Sequence, residues 1–175
     1  MKYLVSICLI GMVLGGPGLE QAFKDSNDMD VLSGFLSGLG IPETTSQCFG
    51  EKAKIVEKLS SGFENIESAS TQHVFNGVKK VADTFKNVPK HLAGCDQSYT
   101  LIASKIDKAL RTISKPKTLT IVPGESILIN GIEILPYLTT AINNLDAGDY
   151  FATGQTLAEL VNNFMPANLE GLDFN

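Results

Sequence analysis

Two cysteines offer the clearest chemistry in this 175-residue chain. The sequence has three, Cys8, Cys48 and Cys95, and Cys8 lies in an N-terminal segment with the pattern of a signal peptide. Removal of that segment would leave one pair in an oxidising compartment, where an even number of cysteines favours disulfide pairing. We therefore predict a disulfide between Cys48 and Cys95. Two buried free thiols and a bridge to another chain are the alternatives.

The two histidines are the other candidates for catalysis. His73 and His91 have no neighbouring serine, cysteine or aspartate in a recognised nucleophile arrangement, and the chain lacks phosphate-loop, dinucleotide and His-Glu-x-x-His motifs. Zinc would need a spacing of histidines and carboxylates that is missing. We predict structural, partly exposed histidines and a protein that is not an enzyme, with no catalytic residue, cofactor or metal. A hydrolase with an unrecognised site would need either histidine in one pocket with a carboxylate and a nucleophile.

Two acidic stretches carry the oxygen ligands that calcium prefers. Neither has the glycine and the terminal glutamate of an EF-hand loop, so we interpret both as solvated turn and helix-capping residues. Their members are Asp25, Asn27, Asp28 and Asp30 in the first stretch and Asn143, Asn144, Asp146 and Asp149 in the second.

The N-terminus has the layout of a secretory signal peptide. One positive charge at Lys2 precedes about a dozen mostly apolar residues, and small residues follow from Gly15 to Gly18. The apolar run falls short of the roughly 20 residues that cross a bilayer as a helix, although an uncleaved membrane anchor is the alternative. We predict cleavage after residue 15, 16 or 18 and a protein that is secreted or held in the lumen of the secretory pathway.

Length and charge limit the classes of partner. The chain after residue 18 is long enough for one domain with its own core, and its acidic balance, with a formal net charge of -5 for the whole chain, comes without a basic cluster. That balance argues against nucleic acid and anionic membrane surfaces as partners. The predicted plan is a signal peptide over 1–18, a polar lead-in over 19–30, a helical domain over 31–165 and a tail over 166–175.

Apolar residues recur in steps of three and four through most of the chain after residue 30, which predicts a mainly α, single-domain bundle of about six helices. Gly154 would let the last two helices lie close together. The predicted helices are Val31–Leu39 with Asp28 as its N-cap, one from Thr45 or Ser46 to a turn at Ser68–Thr71, one from Thr71 to Val88, one from Pro89 to Ile113, one from Ile132 to Leu145, and Tyr150–Phe164 with Asp149 as its N-cap.

Residues 117–130 have a different pattern. Apolar runs on either side of Pro123 and Gly124 predict two short extended pieces, as a hairpin or an extended loop. The helix order also bears on the disulfide. At 1.5 Å per residue, the helix after Cys48 runs outward and the next one returns, so Cys95 would come back beside Cys48.

The chain resembles a class of small secreted helical proteins from single-celled eukaryotes. The resemblance covers most of the predicted mature chain and implies secretion and a helical fold; no established activity comes with it. It is carried by the Gly-Phe-Leu-x-Gly-Leu motif at Gly34–Leu39, one cysteine before each of two long helices at Cys48 and Cys95, Asn-Gly-x-x-Ile at Asn130–Ile134 and Tyr-Phe-x-x-Gly at Tyr150–Gly154.

These observations lead to three hypotheses of function. The first is a secreted or luminal interaction or structural protein, stapled by Cys48 and Cys95 and acting without catalysis on an unknown protein partner. The second is a helical bundle that holds a hydrophobic ligand or lipid between its helices. The third is the hydrolase with an unrecognised site.

Overall fold

The computed structural model describes residues 17–49, 54–68 and 70–165. Seven α-helices, two short 3-10 helices and three short strands form this part of the chain, so the mainly α prediction is confirmed. The predicted signal segment up to residue 16 and the predicted tail from residue 166 lie outside the described residues. The helices are α1 Pro17–Gly38, α2 Ile55–Ile66, α3 Thr71–Thr84, α4 Val88–Cys95, α5 Thr100–Ser114, α6 Leu135–Asp146 and α7 Tyr150–Asn162; the 3-10 helices are η1 Glu43–Cys48 and η2 Gln97–Tyr99.

Helices α1 and α7 cross at very short distance because glycines face each other's backbone. A methyl group on Gly154 would lie 2.0 Å from the carbonyl oxygen of Val31, and one on Gly34 would lie 2.0 Å from that of Phe151. Only a residue without a β-carbon fits at such a crossing. Gly154 was predicted to let the last two helices lie close together. That prediction named the wrong helix, since Gly154 faces α1.

Helices α2 and α3 run out and back, as predicted. A methyl group on Gly77 would lie 2.5 Å from the carbonyl oxygen of Gly62, and Gly62 in turn faces the side chain of Val81. The short turn after residue 66 makes the two helices antiparallel. The apolar stripe of α2 is buried at Leu59 and Phe63, and the return of the chain along α3 brings α4 back towards η1.

The hydrophobic core lies where α1, α3, α5 and α7 meet. The rings of Phe35 and Phe85 stack with their centroids 4.1 Å apart and an interplanar angle of 11°. Both side chains are almost completely buried, as are Ile106 on α5 and Leu157 on α7. None of the helices described between residues 17 and 165 is both long and apolar enough to cross a membrane.

Of the two alternatives predicted for residues 117–130, the structure shows the hairpin, and a third strand joins it. Strands β1 (Leu119–Val122), β2 (Ser126–Ile129) and β3 (Ile132–Glu133) form an antiparallel sheet in the order β1-β2-β3. Asn130 and Gly131 both have positive φ, 52° and 84°, which is the conformation of a two-residue turn between strands. This turn places Ile132 in a strand, so the helix predicted to start there begins at Leu135 instead.

Three further predictions about helix boundaries were wrong. Helix α1 begins at Pro17, so the polar lead-in is helical and Asp28 lies inside the helix. Thr45 and Ser46 lie within η1, and α2 begins only at Ile55. The helix predicted from Pro89 to Ile113 is interrupted after Cys95, where Asp96 is extended and accepts a hydrogen bond from the backbone N–H of Ser98 at 2.8 Å.

Candidate functional site

The two predicted disulfide partners lie side by side. Cys48 is the last residue of η1 and Cys95 is the last residue of α4, and these two elements pack against each other. Cys48 is one of the neighbours that shift the pKa of Cys95, so the two thiols lie close together. The structure holds both as thiols, so their proximity is a finding while the bond between them stays a prediction.

The environment of Cys95 disfavours its thiolate. Partial burial, followed by the hydrogen bond to Cys48 and the charge of that neighbour, raises the pKa of Cys95 from 9.0 to about 11. A thiol nucleophile acts as the thiolate, and reactive cysteines have a lowered pKa. The raised pKa of Cys95 therefore suits a structural pair better than a catalytic nucleophile.

Hydrogen bonds and ring contacts connect the cysteine pair to its surroundings. The hydroxyl groups of Thr45 in η1 and Tyr99 in η2 are 3.3 Å apart and share a hydrogen bond. On the other side of the pair, the rings of Phe49 and His91 are in contact, with centroids 5.2 Å apart and a tilt of 45°. Phe49 follows Cys48 directly, and His91 precedes Cys95 by about one helical turn. The ring contact and the cysteine pair therefore join the same two segments of the chain.

A groove adjoins this ring contact. Its volume is about 310 Å³, and its walls come from α1, Phe49, the start of α2, the end of α3 and the start of α4. The apolar lining residues are Met29, Leu32, Phe49, Ile55 and Val88. The charged or titratable lining residues are Lys54, Lys58, Lys86, His91, Asp28 and Asp83.

Asp28 fixes one end of the groove. Its carboxylate oxygen Oδ1 accepts a hydrogen bond of 2.7 Å from the backbone N–H of Val56, in the first turn of α2. A carboxylate at this position satisfies one of the N–H groups that a helix leaves unpaired and stabilises the positive end of its dipole. Asp28 thus caps a helix, but it caps α2 from within α1, where the sequence pattern had predicted a cap of its own helix.

The other predicted candidates serve local structure or lie apart. His73 is exposed, and its Nδ1 shares a hydrogen bond of 3.1 Å with the Ser68 hydroxyl. Asp149 is the N-cap of α7, as predicted, and accepts from the N–H of Ala152 at 3.0 Å. Within the described ranges, no three His, Cys, Asp or Glu side chains are grouped so that they could hold a metal ion.

His91 is the histidine that shares a cavity with other polar groups. The groove that it lines also contains Asp83 and Thr84. The hydroxyl of Thr84, however, donates to the carbonyl oxygen of Lys80 at 2.9 Å and is buried. This hydroxyl is therefore engaged by its own helix and is not presented as a nucleophile beside the imidazole.

The groove has no direct signature in the sequence. Its lysines come from two separate segments: Lys54 and Lys58 lie at the start of α2, and Lys86 lies just after α3. The spacing of these lysines along the chain gives no sign that they line one groove. The only indication in the sequence was indirect: the predicted out-and-back path of α2 and α3 brings the two segments together. The interior of the bundle is different, because a void of only about 10 Å³ lies among apolar side chains there.

Comparison with known proteins gives one match. A model of a family described as secreted protein B-like matches residues 15–166, which include all the described residues. No curated protein and no solved structure matches the chain.

Proposed function

The chain belongs to the secreted protein B-like family, and from that premise we propose that it is exported through the secretory pathway and acts there without catalysis, as a binding or structural protein clasped by a Cys48–Cys95 disulfide. The observation that carries the proposal is the adjacency of the two cysteines, which end two elements that pack against each other. An exported protein meets an oxidising environment, in which such a pair becomes a bond.

The oxidation has a simple balance. The thiols of Cys48 and Cys95 lose two protons and two electrons as the sulfur–sulfur bond forms. A disulfide of an oxidising exchange protein accepts the electrons and is reduced to two thiols, through a mixed disulfide with one of the two cysteines. Because the raised pKa of Cys95 makes its thiolate scarce, the more exposed Cys48 is the residue that attacks first.

The disulfide would close a long loop. The residues between the two cysteines include α2, α3 and most of α4, and the bond would tie the end of η1 to the end of α4. A loop of this length stabilises the fold by about 4 kcal/mol in the chain-entropy model. The clasp therefore supplies a large fraction of the stability of a domain this size.

Support for a role without catalysis comes from the polar groups near the clasp. The thiol of Cys95 is held in its protonated form, His91 packs against the ring of Phe49, and the hydroxyl of Thr84 donates to the backbone. None of these groups is arranged as an activated nucleophile with a base beside it.

The proposal is tested on full-length protein expressed in a eukaryotic secretory cell. The intact mass of the protein recovered from the medium is recorded before and after treatment with reductant. We expect a shortened N-terminus and a gain of two hydrogens per chain on reduction. Retention of the protein in the cytosol, or an unchanged mass on reduction, would contradict the proposal.

A second candidate function is the binding of a small amphiphilic molecule. The groove beside Phe49, with a volume of about 310 Å³, favours it, because small-molecule sites start at about 300 Å³. The site would be this groove and not the interior of the bundle, where the void of about 10 Å³ is about the size needed for one water molecule.

A further inference from the structure

The floor of the groove is apolar and deep. Leu32, Ile55 and Val88 form it, and their side chains are only 3 to 5% exposed. Met29 and Phe49 line the sides and are partly buried against the core. A hydrocarbon chain placed on this floor would contact apolar side chains from α1, α2 and α4 and would lose part of its contact with water.

Lysines outnumber aspartates among the described residues that line the groove. Three lysines line it, Lys54, Lys58 and Lys86, against the two aspartates Asp28 and Asp83. One oxygen of Asp28 is already bound to the N–H of Val56. The lysine ammonium groups at the rim of the groove are able to pair with an anionic group, on a chain whose formal net charge is -5.

Lys54 and Lys86 can reach a head group without breaking a strong ion pair. Lys54 is paired with Glu57 at 3.4 Å, but both side chains are more than 70% exposed, so that ion pair is weak. Lys86 is also exposed and lines the groove from the segment between α3 and α4. Their long side chains can bend over the groove while their charged ends stay in water.

From these three observations we propose that the groove binds a small anionic amphiphile: a single hydrocarbon chain lies on Leu32, Ile55 and Val88, and a carboxylate or similar head group lies between Lys54 and Lys86. The proposal rests on the second candidate function above and names its ligand class. A neutral lipid would make no use of the charges of Lys54 and Lys86, and a small inorganic anion would leave the apolar floor unfilled.

The clasp and the groove share a wall. Phe49 lines the groove and follows Cys48, and His91 lines it about one turn before Cys95. A bond between the two cysteines would hold these two rings in contact and so fix the shape of that wall before the ligand arrives. Preorganisation of this kind raises affinity by lowering the entropy cost of binding.

The experiment measures binding of dodecanoate to the full chain by titration calorimetry, with methyl dodecanoate and inorganic phosphate as comparison probes. We expect one dodecanoate per chain, weaker binding of the methyl ester, no measurable binding of phosphate, and chemical-shift changes at the methyl groups of Leu32, Ile55 and Val88. The double variant K54E/K86E should bind dodecanoate about tenfold more weakly, since two partly exposed charge contacts are lost.

The matched control is K79E/K108E, which makes the same change of charge on exposed faces of α3 and α5 and should leave the affinity unchanged. Equal weakening by both double variants, phosphate binding as tight as dodecanoate binding, or shift changes confined to other residues would overturn the proposal. A protein with an intact Cys48–Cys95 bond that binds no dodecanoate would overturn this inference alone. Binding by a protein that never forms the bond would overturn the clasp alone.

Discussion

Gly154 in α7 faces the carbonyl oxygen of Val31 in α1 with no room for a side chain between them. A methyl group at Gly154 would approach that oxygen to 2.0 Å and the backbone nitrogen of Phe35 to 2.6 Å, distances that no real carbon atom tolerates. Phe35 is also the ring that stacks on Phe85. The closest helix crossing and the centre of the core therefore depend on the same few residues.

Gly154→Ala tests this crossing. The added methyl group must push α7 away from α1, and overpacking of this kind costs about 3 kcal/mol of the free energy of unfolding. Equilibrium unfolding in urea measures the loss.

The matched control for the crossing is Gly94→Ala in α4. A methyl group at Gly94 has nothing within 4 Å, so the change should be neutral or stabilise by up to about 1 kcal/mol through helix propensity. Equal stability of the two alanine variants would contradict the close crossing.

Asp28→Ala tests the cap that α1 provides for α2. The change leaves the N–H of Val56 without its carboxylate, and the free energy of unfolding should fall by about 2 kcal/mol. Asp28→Asn keeps an oxygen acceptor and should cost less.

Asp30 provides the comparison for Asp28, because it lies two residues further along α1 and is exposed. Asp30→Ala should change stability by less than about 0.5 kcal/mol. Chemical denaturation of the three variants side by side gives the order. An Asp28→Ala protein as stable as Asp30→Ala would exclude a contribution of the cap to stability.

Glu133 should make stability depend on pH. Burial raises the pKa of this carboxyl, but hydrogen bonds to the carboxylate from the Ser126 hydroxyl and from the N–H groups of Ile127 and Leu135 outweigh it, and the net pKa lies below its ordinary value of 4.5. The unfolded chain therefore takes up the proton first as pH falls. The stabilisation is complete above the ordinary pKa and disappears as pH falls through the folded one.

Glu133→Gln removes this titration. The free energy of unfolding of the wild type should fall more steeply than that of the variant between neutral pH and the folded pKa of Glu133, as measured by urea titrations at several pH values. Parallel curves for the two proteins would show that the carboxylate network does not favour the ionised form.

The clasp predicts a redox effect on stability. Cys48→Ser and Cys95→Ser should each lower the free energy of unfolding of the oxidised protein by about 4 kcal/mol, and the double variant should lose no more than either single one. With reductant present, the three variants and the wild type should converge. A single variant that keeps full stability under oxidising conditions would contradict the clasp.

Helical spacing in the sequence was sufficient to predict a helix where a stripe of apolar residues directly follows an N-cap residue. In α7 the stripe through Leu157 and Val161 follows Asp149, which is the N-cap. Helical spacing failed to predict the first half of α1, because the residues before Val31 are mostly polar and show no continuous apolar stripe although they are helical.

The break between α4 and α5 was hidden for the opposite reason. The apolar positions keep their helical spacing through Tyr99 even though the backbone is extended at Asp96. The groove was beyond sequence reasoning, because its walls come from segments that meet only after α2 and α3 have folded back. The proximity of Cys48 and Cys95 could be predicted from the sequence, because the prediction needed only the directions of the two helices between them.

The most direct test of the account is a peptide map of the exported protein, alkylated before digestion and analysed without reduction. We predict one cross-linked species that joins the peptide containing Cys48 to the peptide containing Cys95, released as two separate peptides on reduction. Recovery of both peptides in alkylated form, or of either one linked to another chain, would contradict the clasp on which the account depends.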